Sequence, residues 1–377
     1  SYPIGNWSNS FQYDNHTSFS PNCDKTYVPD DNFEAYLETH DVSGNVVTVG
    51  DANSMGDGIA NNDSVTTANI RGVNNLDIQS KNIADLTGIE DFNSITTLNC
   101  SSNQLTSLDL SQNTALTILL CGNNRNLNTL NVSQNTFLTE LYVYFGSLSG
   151  LDLSQNSALN KLSVFGNILS SLDVSQNTSL TYLDIEGNVL TSLDVSQNTN
   201  LTYINCTNNQ LTSLDISSNT ALDTLFSSYN QLSILDLSHN ISLRNLRCDY
   251  NQLTSIDVSN NAALTFLYCD YNQLTSLDVR NGNNTNLTGF SASGNSNLNC
   301  ISVDDATWAT ANWTNIDSHT SFSDDCNAVP KTYVPDDNFE AYLETHDASG
   351  NVVSVGDANS MGDGIANNDY VTTANIS

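Results

Sequence analysis

The sequence predicts a β-rich solenoid, and three observations predict it. Apolar residues at Leu98, Leu119, Leu141, Leu162, Leu183, Ile204, Leu225, Leu246, Leu267 and Phe290 stand 21 residues apart, with one step of 22 and one of 23. A fixed period of this length marks stacked coils. Each period also has two halves with period-two alternation, as residues 183–203 show: Leu183, Ile185 and Leu190 in one, Leu193 and Val195 in the other. That is the pattern of two short strands, each burying one face. Finally, an asparagine closes each half (Asn188 and Asn198 here), where its amide can bond the bare backbone of the neighbouring coil. Stacked at roughly 4.8 Å per coil, such strands form parallel sheets on both sides of each coil. No coil buries its apolar residues alone, so stability is a sum of coil and nearest-neighbour contributions.

The nested motifs LxIxxNxL and LxxLDVSxNxx recur without a break over about 200 residues. They resemble the leucine-rich repeat of the nested 21-residue (IRREKO-like) type common in secreted proteins of Bacteroidetes. The resemblance implies an extracellular array with no enzymatic activity.

Residues 1–24 carry Asn6-Trp7-Ser8, His16–Ser20 and Cys23, which match Asn312-Trp313-Thr314, His319–Ser323 and Cys326. They read as the end of a preceding C-terminal cap. Residues 25–90 form an N-terminal cap. Its helix is announced by Pro29, Asp30 and Asp31, with Asp31 three residues before Glu34 as an acidic capping box. Phe33, Tyr36 and Leu37 supply an apolar stripe to cover the first coil, and the segment from Val65 leads into a 22-residue coil at Leu76. Residues 91–299 are the array, and 300–330 a C-terminal cap and linker. The segment 25–41 returns at 331–347, so residues 331–377 read as the start of the next unit's N-terminal cap. One unit of a tandem array is expected, with adjoining copies of the same unit as partners, head to tail. Trp7, Phe19, Phe339 and Leu343, in cap pieces without coils, are expected to seek cover from the neighbour.

Nine basic residues face 41 acidic ones, for a net charge of −32. Such a field repels nucleic acid and anionic membranes, so neither is expected as a partner. No run of 18 apolar residues is present, and membrane insertion is not expected. The eight cysteines fall into groups. Cys100, Cys121, Cys206, Cys248 and Cys269 share the inward position two residues after the first Leu of a coil and act as small buried hydrophobes. Cys300 and Cys326 lie outside that ladder and bracket a Trp-rich segment. They read as a disulfide closing the end of the solenoid, which implies an oxidising compartment and a secreted or cell-surface location.

Three candidate sites follow. The loop at residues 50–63 offers Asp51, Asn53, Asp57, Asn61 and Asp63 at alternating positions among glycines, as a hard cation such as Ca2+ requires. Its DGIANND segment resembles the Asp-rich calcium loops of thrombospondin type-3 repeats. It departs from an EF-hand at Met55 and lacks the closing bidentate Glu. The alternative is a polar loop held by Asx turns. The second candidate is the aspartate of each LDV segment: Asp109, Asp152, Asp173, Asp194, Asp215, Asp236, Asp257 and Asp278, with Asn131 breaking the series. A row of bound cations and a plain structural consensus both fit it. The third is the variable outward face, which gathers Tyr142, Tyr144, Phe165, Tyr182, Tyr203, Phe226, Tyr229, Tyr250, Phe266, Tyr268 and Tyr271, with Glu186, Arg247, Asp249 and Asp270 among them. Exposed tyrosine on the regular face of a solenoid is an interface residue for glycan or protein, or these rings pack over neighbouring coils. The five histidines lie in caps or a turn, and no metalloprotease, serine-hydrolase or phosphate-loop motif occurs, so no catalytic residues are expected. The chain reads as a structural and adhesive unit of a surface stalk or filament, alternatively as a recognition domain.

Overall fold

The computed structural model describes residues 24–326, 331–334, 336–362, 365 and 370–372. Expectations resting on Trp7, Phe19 and Cys23 lie outside the described residues. The chain winds into a β-solenoid of about twelve coils. One side is an eleven-stranded parallel sheet of three-residue strands, from Asn75–Asp77 to Gly289–Ser291. Its central residues align coil upon coil: Leu76, Leu98, Leu119, Leu141, Leu162, Leu183, Ile204, Leu225, Leu246, Leu267 and Phe290. These residues are buried, which fixes the register, because a one-residue slip would turn every one of them to water.

The other side is less regular than a strand in every coil. Parallel strands form there only at the far end, in Ser255–Asp257, Ser276–Asp278, Cys300–Ser302 and Ser321–Ser323, with an isolated bridge from Asp109 to Asn131 further up. Leu193 and Val195 are buried but lie in no strand. In the earlier coils the asparagine amide of the next coil reaches back to the carbonyl of the last residue of the LDV segment. Asn135 Nδ2 donates to Leu110 O at 3.0 Å, Asn156 Nδ2 to Val132 O at 3.0 Å and Asn177 Nδ2 to Leu153 O at 3.1 Å. Side chains, rather than backbone, stitch that side.

Two asparagine ladders therefore run the length of the array. In the first, typified by Asn188, Nδ2 donates to Val164 O of the preceding coil and to Ile185 O of its own, both at 3.1 Å. Its Oδ1 accepts from Leu169 N at 3.0 Å. In the second, typified by Asn198, Nδ2 donates to Val174 O and Asn177 O, both at 2.9 Å. The oxygens of Asn113, Asn135, Asn156, Asn177, Asn198, Asn219, Asn240 and Asn261 are buried and have no donor among the described residues.

The caps close the ends. Helix α1 (Asp31–Thr39) lays Phe33, Tyr36 and Leu37 over the first coil, the Phe33 ring 6.2 Å from that of Phe92. Its N-cap is Asp30 rather than Asp31: Asp30 Oδ1 accepts from Asn32 N and Phe33 N, both at 3.0 Å. The other Asp30 oxygen accepts from Ala84 N and Asp85 N, so one carboxylate caps the helix and pins it to the first coil. Glu34 does not reach back to the cap either. It accepts from Asn62 N and Asp63 N, while Glu38 accepts from Asp57 N and Gly58 N, so two buried glutamates clip the acidic loop to α1. A Cβ at Gly56 would meet the Glu38 carboxyl at 2.1 Å, which is why that position has none. Helix α2 (Thr67–Ile70) follows the strand Ser64–Thr66, which pairs antiparallel with Lys25–Tyr27.

At the other end, α3 (Ala306–Asn312) leads into Trp313, whose ring stacks on Phe290 at 4.3 Å and whose Nε1 donates to Leu287 O at 3.2 Å. Cys300 and Cys326 are disulfide-bonded with a Cα separation of 5.7 Å. Helix α4 (Asp337–Glu344) repeats α1. Leu343, expected to lack cover, is instead buried and clusters with Val334 and packs against Met361.

Candidate binding face

A three-residue strand centred on an inward leucine turns its two flanking residues outward. The long sheet thus presents a column through Tyr182, Tyr203 and Phe266 before the leucine, and one through Tyr142, Asp184, Phe226, Arg247 and Tyr268 after it. Next come Tyr144, Phe165, Glu186, Asp249 and Asp270, then a turn column in which Phe145, Asn208, Tyr229, Tyr250 and Tyr271 have φ between 49° and 56°. Gly166, Gly187 and Gly294 fill the same turn position in other coils. An L-residue held there costs roughly 1–2 kcal/mol, so glycine and asparagine are the expected occupants and three successive tyrosines are not.

The rings are stacked along the solenoid axis rather than scattered. Tyr182 and Tyr203 stack at 4.4 Å, Tyr229 and Tyr250 at 4.3 Å, Tyr250 and Tyr271 at 4.4 Å, and Tyr144 and Phe165 at 5.0 Å. Packing over neighbouring coils, the plainer reading of these residues, is thus present. It leaves the ring edges at the surface, and Tyr229, Tyr250 and Tyr271 stay 51%, 40% and 54% exposed. Stacked pairs contribute about 0.5–1.5 kcal/mol each, which offsets much of the backbone cost. Arg247 lies over both the Phe226 and Tyr268 rings, at 5.3 and 5.1 Å.

Carboxylates are set among the rings. Asp184 is 8% exposed, and burial pushes its carboxyl up to about 6, partly opposed by the hydrogen bond from Glu186 N. Burial likewise raises the Asp249 carboxyl, which accepts from Ser228 Oγ at 3.0 Å and from Asp270 N at 3.2 Å. Burial pushes Tyr142 up to about 12, reinforced by its hydrogen bond to Glu140. The burial of Asp184 and half-burial of Asp249 were not foreseeable from strand alternation, which only places them outward. The YNQL tetrapeptide repeated at Tyr229, Tyr250 and Tyr271 is the one sequence signal that marks the turn ladder.

The LDV aspartates resolve into a structural device. Oδ1 of Asp152, Asp173 and Asp194 accepts from the backbone N–H two residues on at 2.9 Å, and Asn131 does the same for Ser133 at 3.0 Å. Those N–H groups hold the carboxyls below the usual range. An amide serves the turn equally well, which accounts for the break at Asn131.

In the loop at residues 50–63 the side chains of Asp51, Asn53 and Asp57 are hydrogen-bonded within the cap. Asp51 Oδ1 accepts from Asn53 N at 2.9 Å. Asp57 Oδ2 accepts from Lys25 Nζ at 2.5 Å and from Asn62 Nδ2 at 3.0 Å. Asn61 and Asp63 sit at left-handed turn positions. The carboxylates that do converge, within 4.8 Å of one another, are Asp31, Glu34 and Asp63. Asp63 is thus the one expected ligand in a carboxylate cluster.

The inward column holds Cys100 and Cys121 on adjacent coils, Cys206 alone, and Cys248 and Cys269 on adjacent coils, all free and buried. Burial pushes the Cys206 thiol up to about 12. Contact with Cys100, together with burial, raises Cys121, and burial raises Cys248 and Cys269. These are packing groups, not nucleophiles.

No family model matches the chain, and no curated protein does. Among solved structures, the functional domain of InlJ from Listeria monocytogenes, which includes a cysteine ladder, is 33% identical with a TM-score of 0.62, covering 74% of this chain and 67% of that one. The chain belongs to the leucine-rich repeat proteins. An internalin, InlF, of the same organism is 21% identical (TM-score 0.46; 80% of this chain, 97% of that one). The plant peptide hormone receptor RGFR1 in complex with RGF2 is 18% identical (TM-score 0.46; 61% and 42%). As a leucine-rich repeat protein, the chain carries Tyr142, Tyr182, Tyr203, Tyr268 and Asp184 on the long sheet and Tyr229, Tyr250 and Tyr271 on the turns that follow it. Among the described residues no helix is long and apolar enough to cross a membrane.

Proposed function

We propose that this leucine-rich repeat chain is a non-enzymatic extracellular adhesive module that binds a macromolecular partner through the outer face of its long sheet. The observation that carries this reading is the continuous band of aromatic and acidic side chains on that face, against a far side whose aspartates are spent on their own turns. The Cys300–Cys326 disulfide supports an oxidising compartment. The leucine-rich repeat relatives, internalins and a peptide receptor among them, support a protein-interaction or adhesive role. Beads coated with the chain are expected to adhere to cultured cells. Changing Tyr142, Tyr203 and Tyr268 together to serine should cut adhesion about tenfold, as loss of a cluster of interface tyrosines does. Asp152→Asn with Asp194→Asn should not. Equal loss from both sets would remove the face from consideration.

A tandem arrangement is supported by the second cap helix. Phe33 and Tyr36 are 0% and 7% exposed under α1, whereas their counterparts Phe339 and Tyr342 on α4 are 54% and 46% exposed. Burying one such ring is worth roughly 1.5–3 kcal/mol. A version of the chain extended through the coils that follow α4 is expected to image as a straight rod with a one-unit repeat. Beads swinging on flexible linkers would refute the stiff array.

Calcium binding belongs to this proposal as a role of the N-terminal cap, with Asp63 beside Asp31 and Glu34 as its centre. Chelation is expected to lower the melting temperature and expose the loop to protease. If neither changes, hydrogen bonds alone hold the loop.

A further inference from the structure

The reading of the long sheet's outer face as the binding surface leaves the class of partner open between glycan and protein, and the tyrosine ladder discriminates between them. A sugar ring stacks on an exposed aromatic face. In this ladder both faces of Tyr250 are covered, by Tyr229 at 4.3 Å and Tyr271 at 4.4 Å, with interplanar angles of 10° and 14°. The far side of Tyr271 lies against Gly294, where an added Cβ would come within 2.7 Å of the ring. What Tyr250 and Tyr271 show to solvent is edges and hydroxyls, which are poor platforms for a pyranose and good acceptors for N–H donors.

Beside two of the three rings in sequence stands a carboxylate, and beside Tyr229 stands Ser228. Asp249 precedes Tyr250 and Asp270 precedes Tyr271. The two interact across adjacent coils, Asp270 N donating to Asp249 Oδ1 at 3.2 Å, while Ser291 Oγ and Ser293 N donate to Asp270 Oδ1 at 2.5 and 2.8 Å. Neither carboxylate has an ion-pair partner among the described residues. The nearby cations are used elsewhere: Arg247 lies over Phe226 and Tyr268, and Arg244 pairs with Asp223 at 3.5 Å. Two partly buried carboxylates facing one another without a cation are short of positive charge, and the net charge of −32 attracts it from a distance.

We propose that the Tyr229–Tyr250–Tyr271 ladder, with Asp249 and Asp270, receives a basic protein segment whose arginine or lysine side chains donate to the carboxylate and phenolic oxygens. The raised Asp249 carboxyl agrees with this, since the charge of a bound guanidinium would offset its desolvation and the repulsion from Asp270. Arginine suits the place better than lysine, because its planar fork engages two oxygens at once. The turn geometry also explains why tyrosine stands where glycine and asparagine serve other coils. The left-handed turn projects three side chains in file, one per coil, along the edge of the carboxylate column.

The test titrates the full chain with three probes at physiological ionic strength: a decapeptide of alternating Arg and Ser, its Glu-Ser counterpart, and cellohexaose. The Arg-Ser peptide is expected to bind and the other two not. Asp249→Asn with Asp270→Asn should weaken it about tenfold. Asp173→Asn with Asp194→Asn, the same change of charge at turns that an amide satisfies, should weaken it less than about twofold. Tyr229, Tyr250 and Tyr271 changed together to asparagine, the residue Asn208 already places at this turn, should match the first pair. Equal weakening by both aspartate pairs would reduce the effect to the overall field and overturn the proposal. Tyrosine-dependent binding of cellohexaose without the basic peptide would overturn the partner class and leave the face intact. Binding of no probe that responds to the tyrosine or Asp249/Asp270 variants would remove both.

Discussion

Asn188→Ala is expected to destabilise the array by about 2–6 kcal/mol, because it leaves the buried Leu169 N–H without an acceptor, at roughly 1–3 kcal/mol, and removes two further hydrogen bonds at roughly 0.5–1.5 kcal/mol each. The two bonds removed run to Val164 O and Ile185 O, which keep the amides of Asn167 and Asn209. Asn198→Ala should cost less, about 1–3 kcal/mol. It removes bonds to Val174 O and Asn177 O, which keep Asn177 N and Leu180 N as donors, and it removes an oxygen that is buried without a donor. Denaturant titration of the two variants, with hydrogen exchange to locate the loss, measures the difference. Equal losses would mean that the coils are held by leucine burial and that the saturated ladder adds nothing to it. Nearest-neighbour coupling confines the opening to the coils around residue 188 before the whole array melts.

Asp184→Asn is expected to stabilise the protein above neutral pH, by on the order of 2–3 kcal/mol. The sign follows from the direction of the shift. Burial raises the folded carboxyl to about 6, above its ordinary value, so the folded state binds this proton more tightly than the unfolded chain does. Ionised Asp184 therefore costs stability above about pH 6, and that cost fades as pH falls towards about 4. Asparagine keeps an oxygen for Glu186 N, which donates to Asp184 Oδ1 at 3.3 Å, and carries no charge. Melting curves of the two proteins from pH 4 to pH 8 should converge at the acid end and separate at the alkaline end. A constant offset would place the effect in packing rather than ionisation.

The register of the long sheet was legible because every coil repeats the same inward leucine, and a period of 21 leaves no second way to align it. The asparagine turns were legible for a similar reason, since an amide offers two N–H donors and an acceptor oxygen to backbone without carrying charge. What one sequence could not show depends on partners far along the chain. Asp30 and Asp31 are equally good caps on paper. Asp30 caps the helix because its second oxygen also meets Ala84 N and Asp85 N, more than fifty residues away. The loop at residues 50–63 has the composition of a cation site, yet Lys25, Glu34 and Glu38 meet it from other elements, and spacing within the loop says nothing about them. The second side of the coils looked like a strand because LDV alternates. In the earlier coils the amide of the next coil's asparagine reaches back to its last carbonyl instead. On the binding face, alternation placed Tyr142, Tyr203 and Tyr268 outward without showing that rings would stack. Stacking depends on the inter-coil distance and not on the residue alone.

The two-sided stitching has a mechanical consequence. In a solenoid the bonds between coils run along the axis, so a pull on the two ends loads them one coil at a time and does not shear the whole sheet at once. Under tension the molecule would yield by peeling, and each coil released would let out roughly 70 Å of chain. The ends are not equivalent in this respect. The Cys300–Cys326 bond ties the last strands to the chain that leaves them, while the N-terminal cap is held by hydrogen bonds, one ion pair and apolar contacts. Peeling would start beneath α1 and run towards the disulfide, giving a tether that lengthens under load in steps of one coil and winds back when the load is removed.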